Sequence, residues 1–207
     1  MIEWNEQGAT RSARWRSESG AVAPRRVQLA DDSLPADTAY RLACEGTGLL
    51  WRGDFQNARQ LLQALMRRAD RKNPKAAAKA AAKAAQKLAA ASPAERFHLH
   101  RQAQAQRART LGALLIPVEG DYSIALRRAP DWRIACTEAW GPADGAPSVV
   151  ALRELLGIVG AHEWRKKGVE IPALGAAPGN RIHPHYGVFS PLRGEYIDLV
   201  AQAPLPS

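Results

Sequence analysis

Four of the five histidines fall in two His-x-His pairs, His98 with His100 and His183 with His185. On a strand alternate residues share a face, so His183 and His185 are the pair able to converge on one metal ion, with Glu195 as an imaginable third ligand. No Cys or second carboxylate stands at ligand spacing, so the sequence assigns no metal site and the two histidines are read as candidate substrate contacts. His98 and His100 lie two residues apart on an expected helix, where side chains diverge, and read as structural. Covalent catalysis has no specific signal either. Cys44 and Cys136 lack a His or Asp close in sequence, and Ser190, followed by Pro191, lacks the strand-turn-helix setting of an activated serine.

Nucleotide-type cofactors need a strand that runs into a Gly-rich turn and then a helix, because backbone amides must approach the ligand closely. The nearest strings, Gly141 to Gly145 and Gly175 to Gly179, carry Pro and follow no apolar strand. No residue is therefore assigned a catalytic, cofactor-binding or metal role.

The remaining chemistry is charge. Lys and Arg number 29 against 20 Asp and Glu, a net charge of +9 that favours polyanionic partners. The densest cationic run holds Arg67, Arg68, Arg71 and Lys72, then Lys75, Lys79, Lys83 and Lys87 at four-residue intervals on one helical face. With Arg101, Arg181, His183 and His185 these are the candidate substrate or polyanion contacts. Base-stacking aromatics are absent from the Lys run, so it reads first as a solvated spacer and second as a phosphate-tracking patch.

These residues must be positioned by elements that the periodicity predicts to be mainly helical. Residues 1–30 mix Arg, Ser, Glu and Gly without a sustained apolar period and read as an extended or partly disordered arm, with a short strand at Val27 to Leu29. A helical segment over 31–72 holds one helix from Ala36 through Trp51 and another after the N-cap Asp54, with Phe55, Ala58, Leu61, Leu62, Leu65, Met66 and Ala69 on its apolar face. An Ala/Lys-rich helical spacer covers 73–92. A second helical segment, 93–180, packs against the first. It opens on a capping box at Ser92, Pro93 and Glu95, with Phe97, Ala105, Ala108, Leu111, Leu114 and Leu115 on its buried side. Further helices are expected over Pro130 to Trp140 and, capped by Ser148, over Val149 to Val159. Arg181 to Phe189 and Glu195 to Ala201 read as the strands of a C-terminal β-hairpin within a bridging segment, 181–207. Cys44 and Cys136 read as buried thiols of a reducing compartment, no apolar run approaches the roughly 20 residues that span a bilayer, and the expected location is the cytoplasm.

Four strings carry a family resemblance: YRLACEGTGLLWRGD running into FQNARQLLQAL (from Tyr40), FHLHRQAQAQRARTLGALLI (from Phe97), AHEWRKKGVEIP (from Ala161) and RIHPHYGVFSPLRGEYIDLVAQAPLP (from Arg181). Together they resemble the N-terminal helical region of bacterial class I S-adenosylmethionine (SAM)-dependent methyltransferases with a small-methyltransferase catalytic domain, related to the HemK-type release-factor glutamine methyltransferases. The resemblance implies a substrate-recognition and bridging region that lacks the catalytic Rossmann-like domain and holds no cofactor itself, SAM being implied for the full-length parent. It further implies a catalytic domain in cis and a protein substrate such as a translation factor, or an RNA. The rival expectation, from charge alone, is a stand-alone basic RNA- or DNA-binding module.

Overall fold

The computed structural model describes residues 1–70, 92–188 and 194–204. Arg71, Lys72, Lys75, Lys79, Lys83, Lys87 and residues 73–91 of the expected helical spacer lie outside the described residues.

The architecture corrects the expectation of a mainly helical domain. A six-stranded sheet, ordered β1-β2-β6-β5-β4-β3, forms the centre of the molecule. Its strands are β1 (Ile2–Glu6), β2 (Ala9–Arg16), β3 (Arg26–Ala30), β4 (Thr47–Trp51), β5 (Leu114–Val118) and β6 (Ser148–Ala151). Strands β3, β4 and β5 are parallel neighbours, β6 runs antiparallel to β5, and the β1-β2 hairpin attaches through a parallel β2-β6 pairing of Arg14 to Arg16 with Ser148 to Val150. The residues expected to be a loose arm are thus two strands. They are joined at Gln7 and Gly8, both with positive φ (52° and 78°), the backbone of a tight primed hairpin turn.

Helices clothe one face of this sheet. They are α1 (Ala36–Cys44), α2 (Phe55–Asp70), α3 (Pro93–Leu111), α4 (Arg133–Trp140) and α5 (Leu152–Lys167). Leu49, Trp51, Leu114, Ile116 and Val150 point from the sheet into a core completed by Ala39 of α1, Phe55, Leu61, Leu62 and Leu65 of α2, Leu111 of α3 and Leu155 of α5. The intervening residues Leu50, Leu115, Val149 and Ala151 point the other way, onto Ile2 and Ala13 of the hairpin, with Trp4, Trp15, Val27 and Leu29 packed around them. Both faces of β4, β5 and β6 are therefore covered, which is why these strands read as unbroken apolar runs.

The sheet curls until its edge strands β1 and β3 approach within 8 Å between Cα atoms without forming a ladder. A cleft of about 730 Å³ remains at this seam, lined by Trp4, Arg26, Leu29 and Leu42 among others. Arg52, which follows β4, ties to β1 beside Trp4. Its guanidinium grips the Glu6 carboxylate through Nε and Nη2 at 2.8 and 2.7 Å and lies over the Trp4 ring.

The Ser92 capping box forms as expected, but Phe97 is 60% exposed and Ala105 and Ala108 are exposed, so most of α3 stands away from the core and only its last turn is buried. Cys44 is exposed and only Cys136 is buried. Among the described residues the C-terminal hairpin does not form. Arg181–Ile182 makes a two-residue strand, β8, against Val169–Glu170, β7, and the expected second strand is a helix, α6 (Gly194–Ala201). No helix among the described residues is long and apolar enough to cross a membrane.

Candidate functional site

Strands β3, β4 and β5 are parallel, so their carboxyl ends lie on one side of the sheet, where loops and the α2 N-terminus converge. The turn after β4 is Arg52, Gly53 and Asp54. A glycine at 53 is a packing requirement, because a Cβ there would stand 2.5 Å from Asp32 Oδ1 and 2.8 Å from the Asp32 backbone nitrogen. Asp32, from the turn after β3, thereby fits directly against the β4–α2 turn.

Asp54 is the N-cap of α2. Its carboxylate, 1% exposed at the residue level, accepts the Gln56 amide at 2.9 Å, and the Asp54 amide donates to both oxygens of Asp32 at 3.0 and 3.2 Å. The Phe55 amide donates to the Arg127 carbonyl at 2.9 Å. Amides that open a helix bind phosphate only when they are available. Here those of Asp54, Phe55 and Gln56 already have partners from the chain itself. Asn57 adds a side-chain bond to Asp32 Oδ1 at 3.0 Å, and the Trp51 indole donates to the Asp54 carbonyl at 3.0 Å.

The loop after β5 completes the cluster with two adjacent arginines. Arg127 Nε and Arg128 Nε both reach Asp54 Oδ2, at 2.9 and 2.7 Å. The Arg128 guanidinium foremost, and then the Gln56 amide and the Arg127 charge, hold the Asp54 carboxyl below its ordinary range against the opposing effect of burial. Both arginine side chains remain open to solvent, at 73% and 58%. Arg128 sits at φ 56°, uncommon for a side chain of this size, and its carbonyl accepts a 3.4 Å bond from Gln56 Nε2.

Two further polar clusters hold elements together. Arg16 stacks on Trp140 at 4.6 Å and Tyr122 at 5.3 Å and donates to Ser148 Oγ at 3.2 Å, fastening β2 to β6 and α4. Glu138 of α4 binds His162 Nδ1 at 2.8 Å and Arg165 at 2.6 Å, clamping α4 to α5.

The candidates from sequence occupy separate elements. Arg67 is exposed on α2, beside an open hollow of about 520 Å³ shared with Gln63, Met66 and Asp70. Arg68 is engaged: its Nε binds Asp37 of α1 at 2.7 Å and its Nη1 the Ala64 carbonyl at 3.3 Å. Arg101 lies on the exposed part of α3. Arg181 bonds the Lys167 carbonyl at 3.0 Å and approaches Glu170 at 3.7 Å. His183 Nδ1 meets the Arg165 carbonyl at 2.6 Å, and since a carbonyl only accepts, Nδ1 carries the proton. His183 and His185 follow β8 rather than sharing a strand face, and Glu195 belongs to α6. No group of three or more His, Cys, Asp or Glu among the described residues could hold a metal.

Sequence reasoning found Asp54 as a cap but missed Asp32, Arg127 and Arg128. The Arg pair joins Asp54 across more than seventy positions, and the only local signal is two adjacent arginines before Ala129 and Pro130. No family model, curated protein or solved structure matches this chain.

Proposed function

We propose that this chain is a substrate-recognition region of a SAM-dependent methyltransferase, with methyl transfer carried out by a catalytic domain in cis. The family comes from the four resembling strings. The division of labour rests on one observation: the α2 N-terminus, at the carboxyl end of the parallel strands, is filled from within the chain. The groups there do not fit SAM. The amides of Asp54, Phe55 and Gln56 are all engaged, and the space beside Gly53 is occupied by Asp32. No catalytic step is therefore assigned to these residues, and their role is to bind and orient.

The bridging part of the reading draws support from α6, where Leu199 and Val200 are 68% and 74% exposed within the string that resembles a linker to the catalytic domain. Exposed apolar side chains of this kind are what an adjoining domain covers. Titration calorimetry of the purified chain with SAM tests the proposal. The expected trace shows only heat of dilution, and micromolar binding would overturn it.

A further inference from the structure

We propose that Arg127 and Arg128 form a preorganised clamp for a backbone phosphate of nucleic acid, and that Arg59 and Arg67 continue the contact along α2. The proposal rests on the recognition reading above, because it names the polymer recognised.

Preorganisation is the first argument. Arg128 spends its Nε on a hydrogen bond to Asp54 Oδ2 and Arg127 Nε stands in ion contact with the same oxygen, on side chains that are mostly exposed, so the terminal amino groups have no partner among the described residues. Their backbone is held as well: the Arg127 carbonyl accepts from Phe55, the Arg128 carbonyl from Gln56, and Arg128 keeps a left-handed conformation. Little side-chain freedom is left to lose on binding, and a guanidinium fork matches two phosphate oxygens. Of the two carboxylates in the cluster Asp54 is buried, and the exposed Asp32 has its oxygens bonded to the Asp54 amide and the Asn57 side chain, so two arginines stand against one exposed acid.

Continuity is the second argument. Arg59 follows on the exposed side of α2 and is steadied by Gln56 Oε1 at 3.2 Å. Gln60, Gln63, Met66, Arg67 and Asp70 complete that exposed side, and its one acid, Asp70, is neutralised by Arg107 at 2.8 Å. At 1.5 Å per residue Arg59 and Arg67 are about 12 Å apart along the axis, the reach of roughly three to four nucleotides of one strand. The hollow beside Met66 and Arg67, about 520 Å³, gives a ribose or base room to lie against the helix. A row of this kind suits a repeating phosphodiester better than the single phosphate of a modified peptide.

Fluorescence anisotropy with labelled single-stranded RNA, hairpin RNA and DNA of matching sequence tests the clamp, and the three probes distinguish which polymer supplies the phosphate. Arg127→Lys with Arg128→Lys keeps both charges and removes both forks. Affinity is expected to fall about tenfold with the salt dependence nearly unchanged. Asp54→Asn makes the chain one charge more positive, yet is expected to weaken binding because the forks lose their anchor. Arg59→Gln with Arg67→Gln alters exposed positions only, and should lower the slope of log affinity against log salt by about 1.5. Circular dichroism establishes that each variant is folded, and the Lys pair decides the matter if Asp54→Asn is not. Undiminished affinity in the folded Lys pair would overturn the clamp. Failure of every probe to bind the unmodified chain at low salt would also overturn it, while leaving the recognition reading intact for a protein substrate. That reading falls instead to SAM binding by this chain.

Discussion

Replacing Gly53 with Ala adds one methyl group, and the structure fixes where it would go. The new carbon would lie 2.5 Å from Asp32 Oδ1, 2.8 Å from Asp32 Cγ and 2.8 Å from the Asp32 backbone nitrogen. A carboxylate can swing aside, but a backbone nitrogen moves only with its chain, so the β3–α1 turn must shift and the bond from the Asp54 amide to Asp32 must lengthen. Overpacking of this kind costs about 1–3 kcal/mol. In a chain of this length that lowers the unfolding midpoint by about 2–12 °C. The same substitution at Gly157, in the middle of α5, supplies the opposite case. A Cβ there meets nothing within 4 Å and the backbone is ordinary helix, so Gly157→Ala is expected to stabilise by about 0.5–1 kcal/mol through reduced freedom of the unfolded chain. Thermal unfolding by circular dichroism, with urea titration as a second measure, reads both. A neutral or stabilising Gly53→Ala would refute the packing assigned to the β4–α2 turn.

Two further outcomes follow from titratable groups. Burial pushes the Cys136 thiol up to about 11, whereas Cys44 is exposed, so a thiol-reactive dye at neutral pH should label one cysteine quickly and the second only on unfolding. Rapid labelling of both would contradict the packing of α4. The Glu138 carboxyl is held below its usual 4.5, chiefly by its bond to His162 and then by Arg165, with burial opposing. Its contribution to stability is complete above pH 4.5 and disappears as the pH falls through the lowered folded value. Glu138→Gln should therefore lose stability at neutral pH and show a flatter acid profile, and urea midpoints that stay parallel to the unmodified chain across that range would exclude the clamp.

Legibility in the sequence followed burial geometry. Helix α2 was readable in full because one face is buried and the other is wet, and the Ser92 box and the Asp54 cap were readable because caps are local. Strands β4, β5 and β6 were absorbed into helices, since Thr47–Trp51, Leu114–Val118 and Ser148–Ala151 are buried on both faces and so show no alternation against polar neighbours. The β1-β2 hairpin was missed for the opposite reason: only Ile2 and Ala13 are fully buried, and its other residues are polar or half-covered. Phe97 and α6 misled because apolar type implies burial only when something covers the residue. The charge cluster was half legible. A cap can be read from its own helix, but a carboxylate shared with arginines more than seventy residues away can be seen only once the sheet has placed β4 beside β5.

The pairing of β2 with β6 also sets an order of events for a chain emerging from a ribosome. The hairpin of residues 2 to 16 is made more than 130 residues before its sheet partner Ser148–Ala151, so it must wait for β6 before it can lock into place. Until then Ile2 and Ala13 lack the lining of Leu50, Leu115 and Val149 that covers them in the finished sheet. The nascent protein therefore carries an unfinished edge while residues 17 to 147 are made, and the steps most exposed to misassociation in this region are those before β6 arrives.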